Sequence, residues 1–339
     1  MVYNIEEKMK KNIGIIGAGS WGTAVAQLIA KNNYNVNIYS RDEVQIEKIN
    51  KNNINEKFYP EIKLSKRVKA SSNLKKIVET SDILFIAIPS KEFRKVMKKI
   101  SSFIRPDQII ISLSKGIEIK TYSVMSKIIS QESSAKLIGV LSGPNLAIEV
   151  MKGYPAATVI ASKFDYVIKT VSKVISSEKI MVFAQRDVVG VELAGALKNV
   201  VAIASGIGSG LGLGVNTKSF LVTLGISEIK HLAIELGAEE NTFSGLAGIG
   251  DLMANSFSGL SRNFKFGELV GLYGAEEAID LIGEVVEGHV VTKVAHIFAK
   301  SVNINAPILE GVYQILYKKK DINEVLKGLL KTRGDFIWE

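Results

Sequence analysis

Apolar residues follow two regimes along this chain. As far as about residue 187, short and nearly continuous apolar runs alternate with helix-period segments; beyond it only helical patterns remain. Residues 13–16, 35–40 (NVNIYS), 83–89 (ILFIAIP), 108–113 (QIIISL), 137–141 (LIGVL), 156–161 and 180–183 predict strands. Runs apolar at every position suit strands buried on both faces of a parallel sheet. Between them, 91–103 and 121–129 carry the 3.6-residue period of helices. Strands alternating with helices predict a doubly wound α/β sheet. In the second regime, 192–205, 217–236 and 275–281 predict helices that dominate to the C-terminus. The expected division is a dinucleotide-binding domain over 9–187 and an all-helical substrate domain over 188–339, with the boundary near Asp187.

The first strand runs straight into Gly17-Ala18-Gly19-Ser20-Trp21-Gly22 and then a small-residue helix pattern. A strand, a glycine turn and a helix in that order can hold a dinucleotide pyrophosphate. Gly17 permits the turn, Gly19 lets main-chain N–H groups approach phosphate, and Gly22 lets the helix lie close to the strand. The helix N-terminus adds unpaired N–H groups and partial positive charge. Glycine spacing alone is weak, but the second strand follows at the distance a βαβ unit requires. That strand ends in Ser40-Arg41-Asp42. Arginine there accommodates the 2′-phosphate of NADPH, whereas an acid binds the ribose of NADH, so the pattern favours NADPH while Asp42 keeps NADH open.

Ligands of open parallel sheets sit beyond the carboxyl ends of the strands. Pro89-Ser90, Ser114-Lys115-Gly116 and Ser142-Gly143-Pro144-Asn145 all follow such ends. Each alone reads as a polar turn; together they predict the rim of one crevice, with the ammonium of Lys115 inside it.

In the helical half, 192–202 (ELAGALKNVVA) places one lysine among small apolar residues. Lys198 and Asn199 follow Gly195 by one turn, where glycine leaves room for a ligand. Desolvation and neighbouring cations lower the pKa of such a lysine, fitting it to exchange a proton with an alcohol or carbonyl. Standing alone, the segment reads as a snorkelling lysine. Gly248-Ile249-Gly250-Asp251 and Ser261-Arg262-Asn263 frame a short helical stretch. Asp251 and Ser261 are natural helix caps. A helix capped by Ser261 and begun by Arg262 combines free N–H groups, a positive dipole end and a guanidinium fork into an anion site.

Composition narrows the classes. The chain has 339 residues, no cysteine and three histidines. Disulfides, thiolate metal sites and a cysteine nucleophile are excluded, and a reducing, cytoplasmic compartment fits. His231, His289 and His296 show no metal-ligand spacing, so no metal is expected. Net charge is +9, which reads either as lysines spread over solvated faces or as a field that draws in small anions; no basic stretch interleaved with aromatics points to nucleic acid. No run reaches the ~18 apolar residues of a membrane span, since Glu192 and Lys198 interrupt 188–214. The first eight residues do not read as a signal peptide, and Met9 offers an alternative start.

Eight ordered motifs, GAGSWGTA, IPS, SKGIE, SGPN-A, ELAGALKNVVAIASG, GLAGIGDLMA, SRNFKFG and VVEG, span about residues 9–314. In this respect the chain resembles the bacterial NAD(P)-dependent glycerol-3-phosphate dehydrogenases. The resemblance implies an N-terminal Rossmann-like domain with a helical C-terminal domain. It also implies NADPH or NADH as cofactor, a small phosphorylated substrate and a homodimer. The implied reaction is reversible reduction of dihydroxyacetone phosphate to sn-glycerol 3-phosphate, which feeds glycerophospholipid synthesis. It places Gly17, Gly19, Ser20, Trp21, Gly22, Arg41, Ala147, Val285 and Glu287 at the cofactor, with Lys115 and Arg262 shared between cofactor and substrate. Gly143, Asn145, Asn199, Asp251, Ser261 and Asn263 fall in the substrate shell, although the family usually has Ser or Thr where Asn145 stands. Lys198 falls at the catalytic lysine, with Asp251 and Asn199 expected to orient it. Two other readings of the motifs are a dehydrogenase acting on a hydroxy acid or sugar acid, and a dinucleotide-sensing protein without catalysis. The second has no use for a buried lysine.

Overall fold

The computed structural model describes residues 11–283 and 286–331. Val285 and Met9 therefore lie outside the described residues, as do the ends of both expected domains.

Eight strands form one sheet: β1 Ile13–Ile16, β2 Val36–Tyr39, β3 Val68–Ser71, β4 Ile83–Ile86, β5 Ile109–Ser112, β6 Leu137–Ser142, β7 Ala156–Ser162 and β8 Ile180–Gln185. They are ordered β3-β2-β1-β4-β5-β6-β7-β8. The helices between them are α1 Ser20–Lys31, α2 Glu43–Asn52, α3 Leu74–Thr80, α4 Ser90–Ile100, α5 Met125–Glu132, α6 Ala147–Lys152 and α7 Asp165–Ile175. Every residue of β1, β4 and β5 is buried. Alternate side chains serve opposite faces, as the two-residue period of a strand requires. Ile83 and Phe85 join the core under α1, α6 and α7, while Leu84 and Ile86 join the one under α3, α4 and α5.

Three features depart from the sequence reading. Strand β3 is absent from it, because Val68-Lys69-Ala70-Ser71 has only two apolar residues and lies at the sheet edge. Strand β7 runs antiparallel to β6, so the last two strands oppose the other six; apolar periodicity carries no information about direction. The helix expected over 121–129 starts only at Met125, because Ile117 and Val124 pair as an antiparallel bridge ahead of it.

From Val188 onward the described elements are helical: α8 Val188–Gly210, α9 Val215–Glu235, α10 Asp251–Ser256, α11 Arg262–Tyr273, α12 Ala275–Ile282, α13 Glu287–Ser301, α14 Pro307–Lys318 and α15 Ile322–Lys331. Helix α8 is long and apolar enough to cross a membrane, but almost all of that surface is covered by the fold. It is the spine of the helical core. Asp187 caps it through the Gly190 N–H at 2.7 Å and also accepts from the Glu239 N–H and the Thr242 hydroxyl.

Helices α8 and α11 meet backbone to backbone. A Cβ at Gly206 would stand 2.1 Å from the Phe264 carbonyl oxygen, and one at Gly267 would stand 2.2 Å from that of Ile203. Gly210 and Gly271, one turn further along each helix, close the same seam. Small residues four apart let two helices approach this closely.

Candidate active site

The candidate site is built where the carboxyl ends of the parallel strands β1, β2, β4, β5 and β6 share one edge of the sheet and the loops after β5 and β6 meet α8 at Gly195. At its sheet side, Gly17 has φ +115°, and a Cβ there would lie 2.2 Å from the Ala87 carbonyl oxygen. A Cβ at Gly22 would lie 2.0 Å from the Gly17 carbonyl oxygen, so α1 can rest on the turn only with glycine present. Gly19, by contrast, faces open space, and no side chain caps the first turn of α1. A tight turn, an open approach and uncapped N–H groups fit a dinucleotide pyrophosphate.

A buried polar network holds this turn. Asn55 and Gln45 both donate to the Ala18 carbonyl, Asn55 also donates to Thr23, and Ser40 donates to Gln45 at 2.6 Å. Ser20 bonds the Tyr59 hydroxyl at 2.7 Å, and that hydroxyl donates to the Ser20 carbonyl. Tyr59 is buried, and its burial pushes the phenol up to about 12. Trp21 is half-buried beside Ser20. Strand β2 stops at Tyr39, leaving Arg41 exposed on the loop, while Asp42 caps α2 by accepting from the Gln45 N–H. The carboxylate that could have reached a ribose is thus engaged by its own helix.

The three expected turns converge. The Gly116 Cα lies against Ser90, where a Cβ would come within 2.5 Å of the serine Cβ. Lys115 Nζ donates to the Gly143 carbonyl at 2.9 Å. Gly143 has φ +110°. Asn145 turns its amide inward, onto the Ser142 carbonyl and the Thr158 hydroxyl, both at 3.0 Å. Ala147 begins α6 next to it, half-buried.

At the centre lies Asp251, with no exposed surface. Lys198 Nζ donates to its Oδ1 at 2.6 Å and Lys115 Nζ to its Oδ2 at 2.7 Å. Two ammonium groups from opposite sides of the crevice therefore share one carboxylate. Lys198 is 3% exposed. Burial lowers its pKa to about 7; the Lys115 charge pushes the same way, and the Asp251 carboxylate opposes both. Asp251 does not cap a helix, contrary to the bland expectation. It follows a π-turn over Leu246–Gly250, whose extra residue re-phases α10. Gly248 makes that turn possible, since a Cβ would lie 2.3 Å from the Phe243 carbonyl oxygen.

Two expectations about α8 are corrected. Gly195 leaves room for the protein itself and not for a ligand, because a Cβ there would meet Ser142 Oγ at 2.9 Å and the stem of Lys115. Asn199 does not orient Lys198; its Oδ1 accepts from Asn263 Nδ2 at 2.9 Å. Side chains four apart on a helix share a face, but those one apart do not. Asn263 in turn accepts from the Gly288 N–H at 3.0 Å. Ser261 caps α11, as expected, through the Phe264 N–H, and Arg262 is exposed at the start of that helix. Glu287, at the start of α13, crosses to the sheet half, where its carboxylate accepts from the Ser90 N–H at 3.0 Å and from the Ser90 hydroxyl.

Two residues that touch this site, Asn255 and Tyr59, are not marked by the sequence pattern. Asn255 donates to Asp251 Oδ1 at 2.9 Å, so the carboxylate serves three donors. An offset of four from Asp251 was the available signal. Tyr59 reaches Ser20 from a distant segment and no local pattern marks it, whereas Ser90 stands at the rim where its turn was expected and meets Glu287 there.

A family model described as the NAD-dependent glycerol-3-phosphate dehydrogenase N-terminus matches residues 12–167, and one for the C-terminus matches residues 187–327. A Halothermothrix orenii protein named glycerol-3-phosphate dehydrogenase (NAD(P)+) is 40% identical over 325 residues, covering 95% of each chain. One of the same name from Acinetobacter baylyi is 39% identical and covers 97% of this chain and 92% of its own. The crystal structure of glycerol-3-phosphate dehydrogenase from Coxiella burnetii superposes with a TM-score of 0.90 at 32% identity, covering 95% of this chain and 99% of that one.

Proposed function

The chain belongs to the NAD-dependent glycerol-3-phosphate dehydrogenase family, and from there we propose that it interconverts dihydroxyacetone phosphate and sn-glycerol 3-phosphate with NADPH or NADH. The observation that carries the proposal is the buried Asp251 carboxylate clamped between Lys198 and Lys115. Substrate binds in the helical half and cofactor in the sheet half, with the division near Asp187.

When bound, the dinucleotide supplies a hydride to the carbonyl carbon of the substrate. Lys198 gives its proton to the carbonyl oxygen as negative charge gathers there, and an alcohol results. In the reverse direction the neutral amine takes the alcohol proton. Asp251 keeps the amine aimed, and Asn255 keeps Asp251 aimed. Lys115 brings a second positive charge beside the same oxygen. Arg262, Asn263 and the first turn of α11 grip the phosphate. Gly17, Gly19, Ser20, Trp21 and Gly22 hold the pyrophosphate, Arg41 takes the 2′-phosphate of NADPH, and Ala147 and Glu287 close the cofactor side.

The product is the backbone of glycerophospholipids, which places the reaction at the entry to their synthesis. The remaining parts of this reading are a cytoplasmic location, which the lack of cysteine supports, and assembly as a homodimer.

The direct test is loss of NADPH absorbance on adding dihydroxyacetone phosphate to the purified protein. Lys198→Ala should lower kcat by roughly 10² or more with cofactor affinity nearly unchanged, because general acid–base catalysis contributes about 10²–10⁴-fold. Near-normal turnover in that variant would remove Lys198 from the mechanism.

A further inference from the structure

Lys198 has a rigid helix beneath it, but Lys115 stands on a loop. Its side chain retains 23% exposure even while bonded to Asp251. What fixes that loop is not the sheet alone. Residues Ile117 and Val124 pair across it, and the Glu118 N–H donates to the Ser123 carbonyl at 2.9 Å. Ile117, 1% exposed, inserts into the hydrophobic core of the helical half, and Val124 packs against the same core. On the outer side, Arg94 grips Glu118 at 2.7 Å.

At the base of this hairpin a carboxylate from the other half makes the anchor. Glu192 lies on α8, six residues before Lys198, and is 7% exposed. Its Oε1 accepts from the Ser126 N–H at 2.8 Å, and its Oε2 accepts from the Ser126 hydroxyl. It thereby caps the first turn of α5, where the hairpin ends. Among the described residues no cation pairs with it: burial pushes this carboxyl up to about 7, with the Ser126 and Met125 hydrogen bonds opposing. A group this costly to bury, carried on the same helix as Lys198, calls for a purpose beyond capping a surface helix.

We propose that Glu192 is a positioning residue of the active site, whose carboxylate ties the hairpin bearing Lys115 to α8 and so sets Lys115 at hydrogen-bond reach of Asp251. One helix then places both amines: Lys198 directly, and Lys115 through Glu192, Ser126 and the hairpin. The proposal rests on the reading of Lys115 and Lys198 given above, so its test includes a measurement independent of turnover.

Glu192→Met replaces the carboxylate by an apolar side chain of similar volume, so the core is kept and the tie is lost. In the full chain its kcat for dihydroxyacetone phosphate should fall about 10- to 100-fold, the size of loss that a displacement of about 1 Å in a site causes. Its KM for NADPH should stay within about twofold, since the glycine turn is untouched. Glu192→Gln keeps an acceptor for the Ser126 N–H and should recover kcat to within about threefold of wild type. The crystal structure of Glu192→Met should show Lys115 Nζ withdrawn from Asp251. Normal kcat in Glu192→Met with only a lower Tm, or Lys115 still bonded to Asp251 in that crystal, would overturn the proposal. Wild-type protein assayed alongside tests the reaction itself: if it fails to turn over, the functional reading falls, while the crystal still decides the role of Glu192.

Discussion

On the sheet side of the crevice the glycine turn presents main chain, with a neutral side-chain network behind it. Gly22 meets the Gly17 carbonyl because it lacks a Cβ, and α1 opens without a side-chain cap. On the helical side the contacts are made by polar side chains withdrawn from water, with Asp251 gathering Lys198 and Asn255 from its own half and Lys115 from across the crevice. A pyrophosphate already carries its full charge and needs only donors held in place. A carbonyl acquires charge only during reaction, so it needs a proton source whose affinity has been adjusted. Steric demands build the first wall and electrostatic demands the second.

The contrast breaks most sharply at Asp251. Asp251→Asn leaves the buried amine of Lys198 and the partly exposed ammonium of Lys115 without a counter-charge. We expect kcat to fall by about 10²–10⁴ and stability by about 3–5 kcal/mol, the usual cost of breaking a buried pair. Steady-state kinetics and thermal unfolding check both, while NADPH binding measured by fluorescence should persist. A loss of cofactor binding equal to the loss of turnover would mean that the two walls are not separable.

A change of pH should act on the helical wall alone. With the Lys198 pKa lowered to about 7, the protonated donor is present below that value and disappears above it. Reduction should therefore slow as pH rises through about 7, whereas oxidation of sn-glycerol 3-phosphate, which needs the neutral amine, should slow as pH falls through the same range. The Kd for NADH across this interval should change little. Opposed limbs in the two directions would locate the titration in the acid–base group; parallel limbs would locate it elsewhere.

The smallest effect is expected at the exposed Arg41. Arg41→Ala should raise the KM for NADPH by about tenfold or less, in keeping with about 0.2–1 kcal/mol for an exposed ion pair and somewhat more for an arginine–phosphate fork. The KM for NADH should hardly move. Initial rates with the two cofactors decide it.

The same division governs how far the sequence could be read. Strands β1, β4 and β5 are legible because both their faces are buried, and the turn is legible because backbone contact leaves glycine as its only solution. Edge strand β3, with Lys69 exposed between Val68 and Ala70, has no such uniform pattern. Lys198 stands out as one charge in an apolar helix. Its partner is another matter: Asp251 lies 53 residues away, and a π-turn sets its direction. Gly195 misled for a related reason, since an absent side chain does not say whether a ligand or Ser142 occupies the space. Glu192 reads locally as a charge near a helix start, and only the tertiary fold brings Ser126 to it.

The glycine seam between α8 and α11 fixes something that neither helix could alone. With Phe264 and Ile203 carbonyls almost touching the opposing Cα atoms, the interval from Lys198 to the Ser261–Arg262 corner is set by main-chain dimensions and not by side-chain volume. Core substitutions elsewhere in the helical half can repack without lengthening it. In the reaction proposed above, that spacing would serve as a caliper, with one jaw for the phosphate, the other for the oxygen to be protonated, and a gauge that suits a short carbon chain between them.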